Sequence, residues 1–251
     1  PPTPGRVRYL GCRDAQHTSA LWPLMSMFAL ADCNNFYVSC ERMFQPKLKH
    51  RPVVILSNND GCIISRSYEA KEIGIPMGAP LFKVRADIQR HHIVVRSSNY
   101  ALYGDMSARV MSILSAAAPD CEIYSIDECF LDLDRLNVPD IEAWCRDLRQ
   151  QVYQWTGIPI SIGLGETKTL SKLANQQAKA SSDDDGVFKM SPDVMESYLN
   201  KMDVGDVGGM GRRWAKRPND GLSRLRCRPR RWRHRCAAAL ATGQIARVAR
   251  P

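Results

Sequence analysis

Three carboxylates stand where regular stretches of the sequence end, and they are the residues best placed to do chemistry. Asp32 closes a short apolar run at residues 28–31, while Asp127 and Glu128 fall between two short apolar stretches. Carboxylates that meet at one sheet edge repel one another unless cations lie between them, and such oxygen donors favour Mg²⁺. A plainer alternative also fits the spacing, in which Asp127 and Glu128 form a solvated hairpin turn and Asp32 caps a strand.

The elements that must position these carboxylates follow from apolar periodicity. Residues 28–31 predict a buried strand, and apolar side chains at helical spacing over 102–117 predict a helix that ends before Pro119. The remaining predicted elements are, in order, strands at 122–126 and 129–133, a helix capped by Asp140, a strand at 158–164 and a helix capped by Thr167.

The order strand, helix, strand, strand, helix, strand is that of a split βαβ or ferredoxin-like unit. In such a sheet the third strand lies antiparallel beside the first, so the turn that opens the third strand sits next to the end of the first. We therefore expect Asp32 to meet Asp127 and Glu128 in space. The long stretch 33–100, with a strand at 53–56 and a helix near 68–73, predicts an inserted small domain because loops of that length are uncommon in compact folds.

Composition bounds the class of protein. The chain has 251 residues, 44% of them hydrophobic and 24% charged, which is typical of one or two globular domains with cores. No apolar run reaches the roughly 20 residues that span a bilayer, and the start lacks a signal-peptide pattern, so we expect a cytoplasmic protein with no membrane partner. The nine cysteines include no C-x-x-C pair, which argues against a structural zinc or a disulfide framework.

The two ends of the chain differ from the rest. Residues 212–251 hold 13 Lys or Arg and one acid, whereas the residues before them hold 22 basic and 25 acidic residues, so the net charge of +9 belongs to the tail. That tail could be a basic arm for DNA or a stretch translated out of frame, and its Arg, Pro and Ala content favours the second. Residues 1–26 lack a regular pattern, so we expect a non-native leader and a true start at Met25 or Met27.

Several short motifs carry a family resemblance. Residues 27–37 (MFALADCNNFY) resemble the opening of Y-family translesion DNA polymerases, and residues 124–128 (YSIDE) resemble their second carboxylate motif. Three further motifs are similar to those of the UmuC type, the catalytic subunit of bacterial DNA polymerase V: SNNDGC at 57–62, SSNY at 97–100 and DMS at 105–107. The resemblance covers about residues 27–213.

The resemblance implies a two-metal polymerase site. Asp32, Asp127 and Glu128 would be the catalytic carboxylates, and with the main-chain carbonyl of Cys33 they would hold two Mg²⁺ ions. One ion would lower the pKa of a primer 3′-hydroxyl, and the other would hold the triphosphate for in-line displacement of pyrophosphate. The implied function is template-directed synthesis across damaged DNA, as in SOS mutagenesis.

The resemblance also implies nucleotide-binding roles for Ser65, Tyr68, Lys71 and Lys172, and a steric-gate role for Tyr37, whose ring would exclude a 2′-hydroxyl. Plainer interpretations exist, because Tyr37 could be a core aromatic, and Tyr68, Lys71 and Lys172 could lie on solvated helix faces. Lys168 is a weaker phosphate candidate than Lys172. Lys71 stands where many family members have Arg, so a point charge replaces a bidentate phosphate grip.

The implied fold class is α/β (α+β), with a ferredoxin-like palm, an inserted small α/β fingers domain and an incomplete helical thumb. The expected division is palm in residues 27–35 and 101–180, fingers in 36–100, the start of a thumb in 181–213, and an Arg-rich tail, out of frame or disordered, in 214–251. Gly209 and Gly211 would hold a DNA phosphate, although Gly208 departs from the aromatic or Pro that the family usually has. Because the resemblance stops near residue 218, we expect nucleotide binding without primer extension.

The partners implied by the resemblance are primer-template DNA, deoxynucleoside triphosphates, a UmuD-type subunit, RecA and a sliding clamp. Two alternative functions stay open. One is a different two-metal enzyme on the same palm, such as a nucleotide cyclase, which the inserted domain and Tyr37 argue against. The other is a non-catalytic remnant or decoy subunit that binds nucleotide or partner proteins.

Overall fold

The computed structural model of the chain describes residues 26–201, except residue 60 and residues 181–184. The strands, numbered in chain order, are β1 (Phe28–Cys33), β2 (Val53–Leu56), β3 (Ile63–Arg66), β4 (Val94–Ser97), β5 (Asp120–Ile123), β6 (Glu128–Asp132), β7 (Ile160–Gly165) and β8 (Val187–Lys189). The helices are α1 (Phe36–Phe44), α2 (Tyr68–Glu72), α3 (Arg85–Arg90), α4 (Tyr100–Ala117), α5 (Ile141–Thr156), α6 (Lys168–Ala180) and α7 (Pro192–Lys201). The expected Arg-rich tail and the candidate residues Gly209 and Gly211 lie outside the described residues, as does all of the expected leader except Ser26.

Five strands form the larger sheet, in the order β5-β6-β1-β7-β8. The central strand β1 runs antiparallel to both β6 and β7, and β8 adds a parallel edge that the sequence did not predict. Helices α4 and α5 pack on the face that carries Ala29 and Ala31, and α6 packs against β7 and β1. Covered in this way, β1 reads as a nearly continuous apolar run. The ferredoxin-like order and the α/β class are confirmed.

A second sheet of three strands, in the order β3-β2-β4, lies within the inserted stretch. Alternate residues of β2 point to opposite sides: Val54 and Leu56 join a separate small core, whereas Val53 and Ile55 join the core of the larger sheet. The all-apolar sequence of β2 therefore reflects two cores that share one strand. Strand β2 and helix α2 are predicted from the sequence, but β3 and β4 are not.

The hairpin between β5 and β6 begins earlier than periodicity predicts. Strand β5 ends at Ile123, because the amides of Tyr124 and Ser125 both donate to the carbonyl of Glu128, at 3.0 and 3.1 Å, and close the turn. The predicted strand end at residue 126 is therefore wrong. Across the part of the chain that the structure describes, none of the helices is long and apolar enough to cross a membrane.

Helix α6 lies very close to β7 because two strand positions carry no side chain. A Cβ at Gly163 would lie 2.1 Å from the backbone nitrogen of Asn175, and other backbone atoms of α6 are nearly as near. The buried amide of Asn175 donates to the carbonyls of Leu30 and Ser161, at 3.0 and 2.8 Å. These contacts set the height and register of α6 on the sheet, and with them the positions of its lysines.

We expect Gly163→Ala to lower the free energy of unfolding by about 1–3 kcal/mol, because the added methyl group collides with backbone that cannot move away cheaply. The matched control is Gly104→Ala in α4, where a Cβ meets nothing within 4 Å. That change should raise stability by about 0.5–1 kcal/mol through helix propensity. Urea denaturation followed by circular dichroism measures both, and equal effects of the two substitutions would contradict the close packing of α6.

Candidate active site

The three predicted carboxylates lie at one edge of the larger sheet. Asp32 is in register with Glu128 on β6 and with Ser161 on β7. The amide of Cys33 donates to the carbonyl of Asp127 at 2.9 Å, which ties the end of β1 to the turn before β6. The structure therefore brings Asp32, Asp127 and Glu128 together as the topology predicted.

The turn that carries Asp127 is held by the hydroxyl groups of two serines. Ser125 Oγ donates to Asp127 Oδ1 at 2.7 Å and accepts from the amides of Asp127 and Glu128, at 3.3 and 3.0 Å. Ser107 Oγ on α4 donates to the carbonyl of Ile126 at 2.6 Å and ties the turn to the helix. Ser125 therefore orients the carboxylate of Asp127 and Ser107 fixes the turn, and neither serine was among the predicted site residues.

Two lysines of α6 neutralise two of the carboxylates. The ammonium of Lys172 lies 3.0 Å from each carboxylate oxygen of Glu128, and that of Lys179 lies 2.5 Å from Asp32 Oδ2. Lys172 was predicted as a phosphate contact, whereas Lys179 was missed. The signal for Lys179 is its spacing, because residues seven apart on a helix lie two turns apart on one face.

Burial and crowding act on Asp32. Burial raises the pKa of Asp32 to about 6, the ammonium of Lys179 opposes that rise, and the charges of Asp127 and Glu128 add to it. Burial also raises the pKa of the Cys33 thiol, with the charge of Asp32 adding to the rise. Cys33 is thus a neutral thiol, and its main-chain carbonyl is its available hard ligand.

The donor set suits a hard divalent cation, since the groups present are carboxylates and a main-chain carbonyl. The side chains are not arranged as a metal-ligand shell in this structure. Among the described residues, no three His, Cys, Asp or Glu side chains are placed to hold a metal ion together. Two carboxylates contact lysines, and Asp127 contacts Ser125. The oxygen donors therefore fit Mg²⁺ chemically, and the lysines now supply the positive charge that such a site requires.

Tyr37, the predicted steric gate, lies on α1 beside these groups. Its half-buried ring stacks on the buried ring of Tyr103, with centroids 4.4 Å apart and an interplanar angle of 18°. Tyr103 is fixed in turn by its hydroxyl, which donates to Glu41 Oε1 at 3.0 Å. Burial raises the pKa of Tyr37, and the charge of Asp127 adds to the rise. The hydroxyl of Tyr37 therefore lies within electrostatic reach of Asp127. One ring thus contacts the core and borders the site.

Two of the predicted nucleotide-binding residues of the inserted domain, Tyr68 and Lys71, lie within electrostatic reach of Asp32. Ser65 is buried on β3, and the ammonium of Lys71 lies 5.0 Å from the centre of the Tyr68 ring. Partial burial raises the pKa of Tyr68, and the charge of Asp32 adds to the rise. Burial lowers the pKa of Lys71, and the positive charges of Arg66 and Lys179 lower it further. Tyr68 and Lys71 of the inserted domain therefore interact electrostatically with Asp32 of the larger sheet.

Arg66 and Lys168 are two further basic side chains near the site. Arg66 Nε is buried and has no hydrogen-bond partner within the described part of the chain, while another nitrogen of its guanidinium donates to the carbonyl of Ile75. Lys168 instead pairs with Glu122 at 2.5 Å and lies 5.5 Å from the ring centre of Phe130. Arg66 Nε is thus an unpaired buried donor, and Lys168 pairs with an acid outside the carboxylate trio.

Comparison with known proteins matches residues 31–176 to the impB/mucB/samB family. The chain is 48% identical over 196 residues to the protein UmuC of Salmonella typhimurium and 42% identical over 192 residues to the protein MucB of Escherichia coli. These alignments cover 77% and 76% of this chain and 46% of each relative. The chain therefore spans about half the length of the curated relatives it matches.

The fold is shared with solved DNA polymerases. The insertion ternary complex of Dbh DNA polymerase is similar to this chain with a TM-score of 0.71 at 22% identity, and DinB from Sulfolobus solfataricus with a TM-score of 0.70 at 23% identity. Each comparison covers 87% of this chain and 67% of the other. The likeness in fold to these structures is therefore independent of the sequence motifs.

We expect Ser125→Ala to lower the free energy of unfolding by about 1–3 kcal/mol, because two amides and one carboxylate lose their shared partner. The control is Ser112→Ala on the exposed face of α4, which should change stability by less than about 0.5 kcal/mol. Urea denaturation of both variants measures the difference. Indistinguishable midpoints would mean that the hydroxyl of Ser125 does not hold the turn.

Proposed function

Because this chain belongs to the impB/mucB/samB family of Y-family DNA polymerases, we propose that it carries the palm and fingers of a polymerase that copies damaged DNA. Residues 27–35 and 101–180 correspond to the palm and residues 36–100 to the fingers in this proposal. The observation that carries it is the register of Asp32 with Glu128, beside Asp127, at the edge that the inserted domain faces. That arrangement joins hard oxygen donors to basic side chains that suit a triphosphate.

In the proposed reaction Asp32, Asp127, Glu128 and the carbonyl of Cys33 hold two Mg²⁺ ions. When bound, these ions would make a primer 3′-hydroxyl more acidic and offset the charge of the triphosphate. The chain's own residues set the geometry: β1 and β6 hold two of the carboxylates opposite each other, and Ser125 orients Asp127. Holding the reacting groups at fixed positions is a large share of what a polymerase must do.

Basic residues from both sheets would bind the triphosphate. Lys71 and Tyr68 would contact the triphosphate from α2, and Lys172 would contact it from α6. Ser65 lies on β3. Burial lowers the pKa of Lys71, and the positive charges of Arg66 and Lys179 lower it further. Phosphate oxygens would satisfy these donors and would relieve the repulsion among the cations.

The partners in this proposal follow from the reaction and from the family. Primer-template DNA and deoxynucleoside triphosphates are the substrates, and the cytoplasm is where a bacterial chain would meet them. A UmuD-type subunit, RecA and a sliding clamp are proposed from the family resemblance alone. The thumb contacts proposed for Gly209 and Gly211 lie outside the described residues.

Primer extension by a chimera tests the proposal without requiring the parts that lie beyond the matched region. Residues 27–180 would replace the matching segment of the Salmonella typhimurium protein UmuC, assayed beside the intact relative on a template with an abasic site. We expect Mg²⁺-dependent extension, and a loss of at least about 100-fold in Asp32→Ala and Asp127→Ala, because each removes transition-state charge stabilisation.

The control for that assay is Asp147→Ala, an exposed acid on α5, which should leave extension unchanged. A folded chimera that fails to extend the primer would reject the proposal. So would undiminished extension by either carboxylate variant.

Tyr37→Ala in the same chimera should raise ribonucleotide incorporation relative to deoxyribonucleotide incorporation by at least about tenfold, a change of about 1.4 kcal/mol in discrimination. Removing the ring opens the space that a 2′-hydroxyl would need. Tyr37→Phe keeps the ring and should keep the wild-type ratio. If Tyr37→Ala lowers stability through its lost stacking on Tyr103 but leaves the ratio unchanged, Tyr37 is a core aromatic and not a gate.

A further inference from the structure

One turn of α1 beyond the predicted steric gate lies a nearly buried carboxylate that has no role in the proposed reaction. Glu41 is 7% exposed and follows Tyr37 by four residues, so the two side chains lie on the same face of the helix. A buried acid is costly unless it is hydrogen-bonded. Glu41 Oε1 accepts a hydrogen bond from the hydroxyl of Tyr103 at 3.0 Å, in a buried contact between α1 and α4.

Two side chains of α1 hold the ring of Tyr103. This fully buried ring stacks on the ring of Tyr37, with centroids 4.4 Å apart and an interplanar angle of 18°, while its hydroxyl donates to Glu41. Burial raises the pKa of Tyr103, and the charge of Glu41 raises it further, so the hydroxyl stays protonated and remains a donor. The Tyr103 ring is thus fixed in its plane and at its hydroxyl, and it presents one orientation to the ring stacked on it.

The start of α1 is fixed by contacts that do not involve Tyr103. The amide of Asn34 donates to the carbonyl of Pro159 at 2.8 Å, and Ser161 Oγ donates to Asn34 Oδ1 at 3.0 Å. The backbone that carries Tyr37 is therefore tied to β7, and the position of its ring depends on the side-chain torsions. Stacking on a ring of fixed orientation restricts those torsions.

Stability alone does not account for the polar pair of Glu41 and Tyr103. Removing one partner of a buried hydrogen bond leaves the other unsatisfied, but replacing both by apolar groups of similar shape is often nearly neutral. Glu41→Met combined with Tyr103→Phe would preserve the volume of both side chains. Such a pair would lack only the directional contact that fixes the Tyr103 ring.

We propose that Glu41 is a positioning residue for sugar selection, which fixes the ring of Tyr103 and through it the approach of the Tyr37 ring to the sugar of a bound nucleoside triphosphate. This inference rests on the proposed function, because it takes Tyr37 to exclude a 2′-hydroxyl. Glu41 does not contact the nucleotide in this account. It acts on selectivity through two stacked rings.

The test uses the double variant Glu41→Met/Tyr103→Phe of the full chain, in which both rings remain and the hydrogen bond is lost. Calorimetric titration with dATP and with ATP, each in the presence of Mg²⁺, measures the preference for the deoxy sugar. We expect the double variant to lower this preference by about threefold, because a less restrained Tyr37 ring still blocks the sugar part of the time. Its urea midpoint should stay close to wild type.

Two control variants separate positioning from stability. Glu41→Gln keeps an oxygen that accepts from the hydroxyl of Tyr103, so it should keep the wild-type preference. Thr156→Ala removes a different buried hydroxyl, which donates to the carbonyl of Val152 at 2.7 Å within α5. It should lower the urea midpoint and leave the preference for dATP unchanged.

The Tyr37 ring can be observed directly by ¹⁹F NMR of the full chain labelled with 3-fluorotyrosine. The resonance that disappears in Tyr37→Phe belongs to Tyr37. We expect it to broaden in the double variant, because the ring then exchanges between positions, and to stay sharp in Thr156→Ala. A Tyr37 resonance as sharp as in wild type, or an unchanged preference for dATP in the double variant, would overturn the inference.

Tyr37→Ala separates this inference from the proposed function. If Tyr37→Ala lowers the preference for dATP while the double variant does not, only the role of Glu41 is rejected. If the wild-type chain binds neither nucleotide or shows no preference, or if Tyr37→Ala leaves the preference unchanged, the gate proposed for Tyr37 is rejected. The inference about Glu41 is then rejected with it.

Discussion

The mutual repulsion of three carboxylates at one edge of a sheet is the constraint on which the rest of the site depends. Pairing of β1 with β6 places Asp32 opposite Glu128, and the amide of Cys33 holds the turn of Asp127 beside them. Burial is the main cause of the raised pKa of Asp32, and the charges of Asp127 and Glu128 add to the rise. The ammonium groups of Lys172 and Lys179 lie against two of these carboxylates and offset the repulsion.

The cations come from a helix whose position is fixed by the absence of side chains beneath it. Gly163 and Gly165 let α6 approach β7 to a distance that any Cβ would prevent, and Asn175 satisfies sheet carbonyls at the same contact. Lys172 and Lys179 therefore reach their acids from one rigid support. Close packing, rather than any local feature of α6, determines which charges meet.

The inserted domain is connected to this edge through a shared strand. Strand β2 contributes Val53 and Ile55 to the larger core and Val54 and Leu56 to the smaller one, so the second sheet cannot shift without disturbing the first. That anchoring brings Lys71 of α2 within electrostatic reach of Asp32. A polyanion bound between the two sheets would contact basic groups on one side and cation-holding acids on the other, as the proposed polymerase reaction requires.

The amino-acid sequence determined the ferredoxin-like order and the meeting of Asp32 with Asp127 and Glu128, because strand ends, helix caps and apolar periodicity are local signals and the topology follows from their order. It did not predict β3 or β4, which are as short as β2 but lack its continuous apolar run, nor β8, which has three residues. It also missed the early end of β5, which two turn hydrogen bonds decide. The ion pair of Lys179 with Asp32 was decided by tertiary structure alone. Its two partners are far apart in the chain, and they meet only because glycines in β7 seat α6 against the sheet at one height and register.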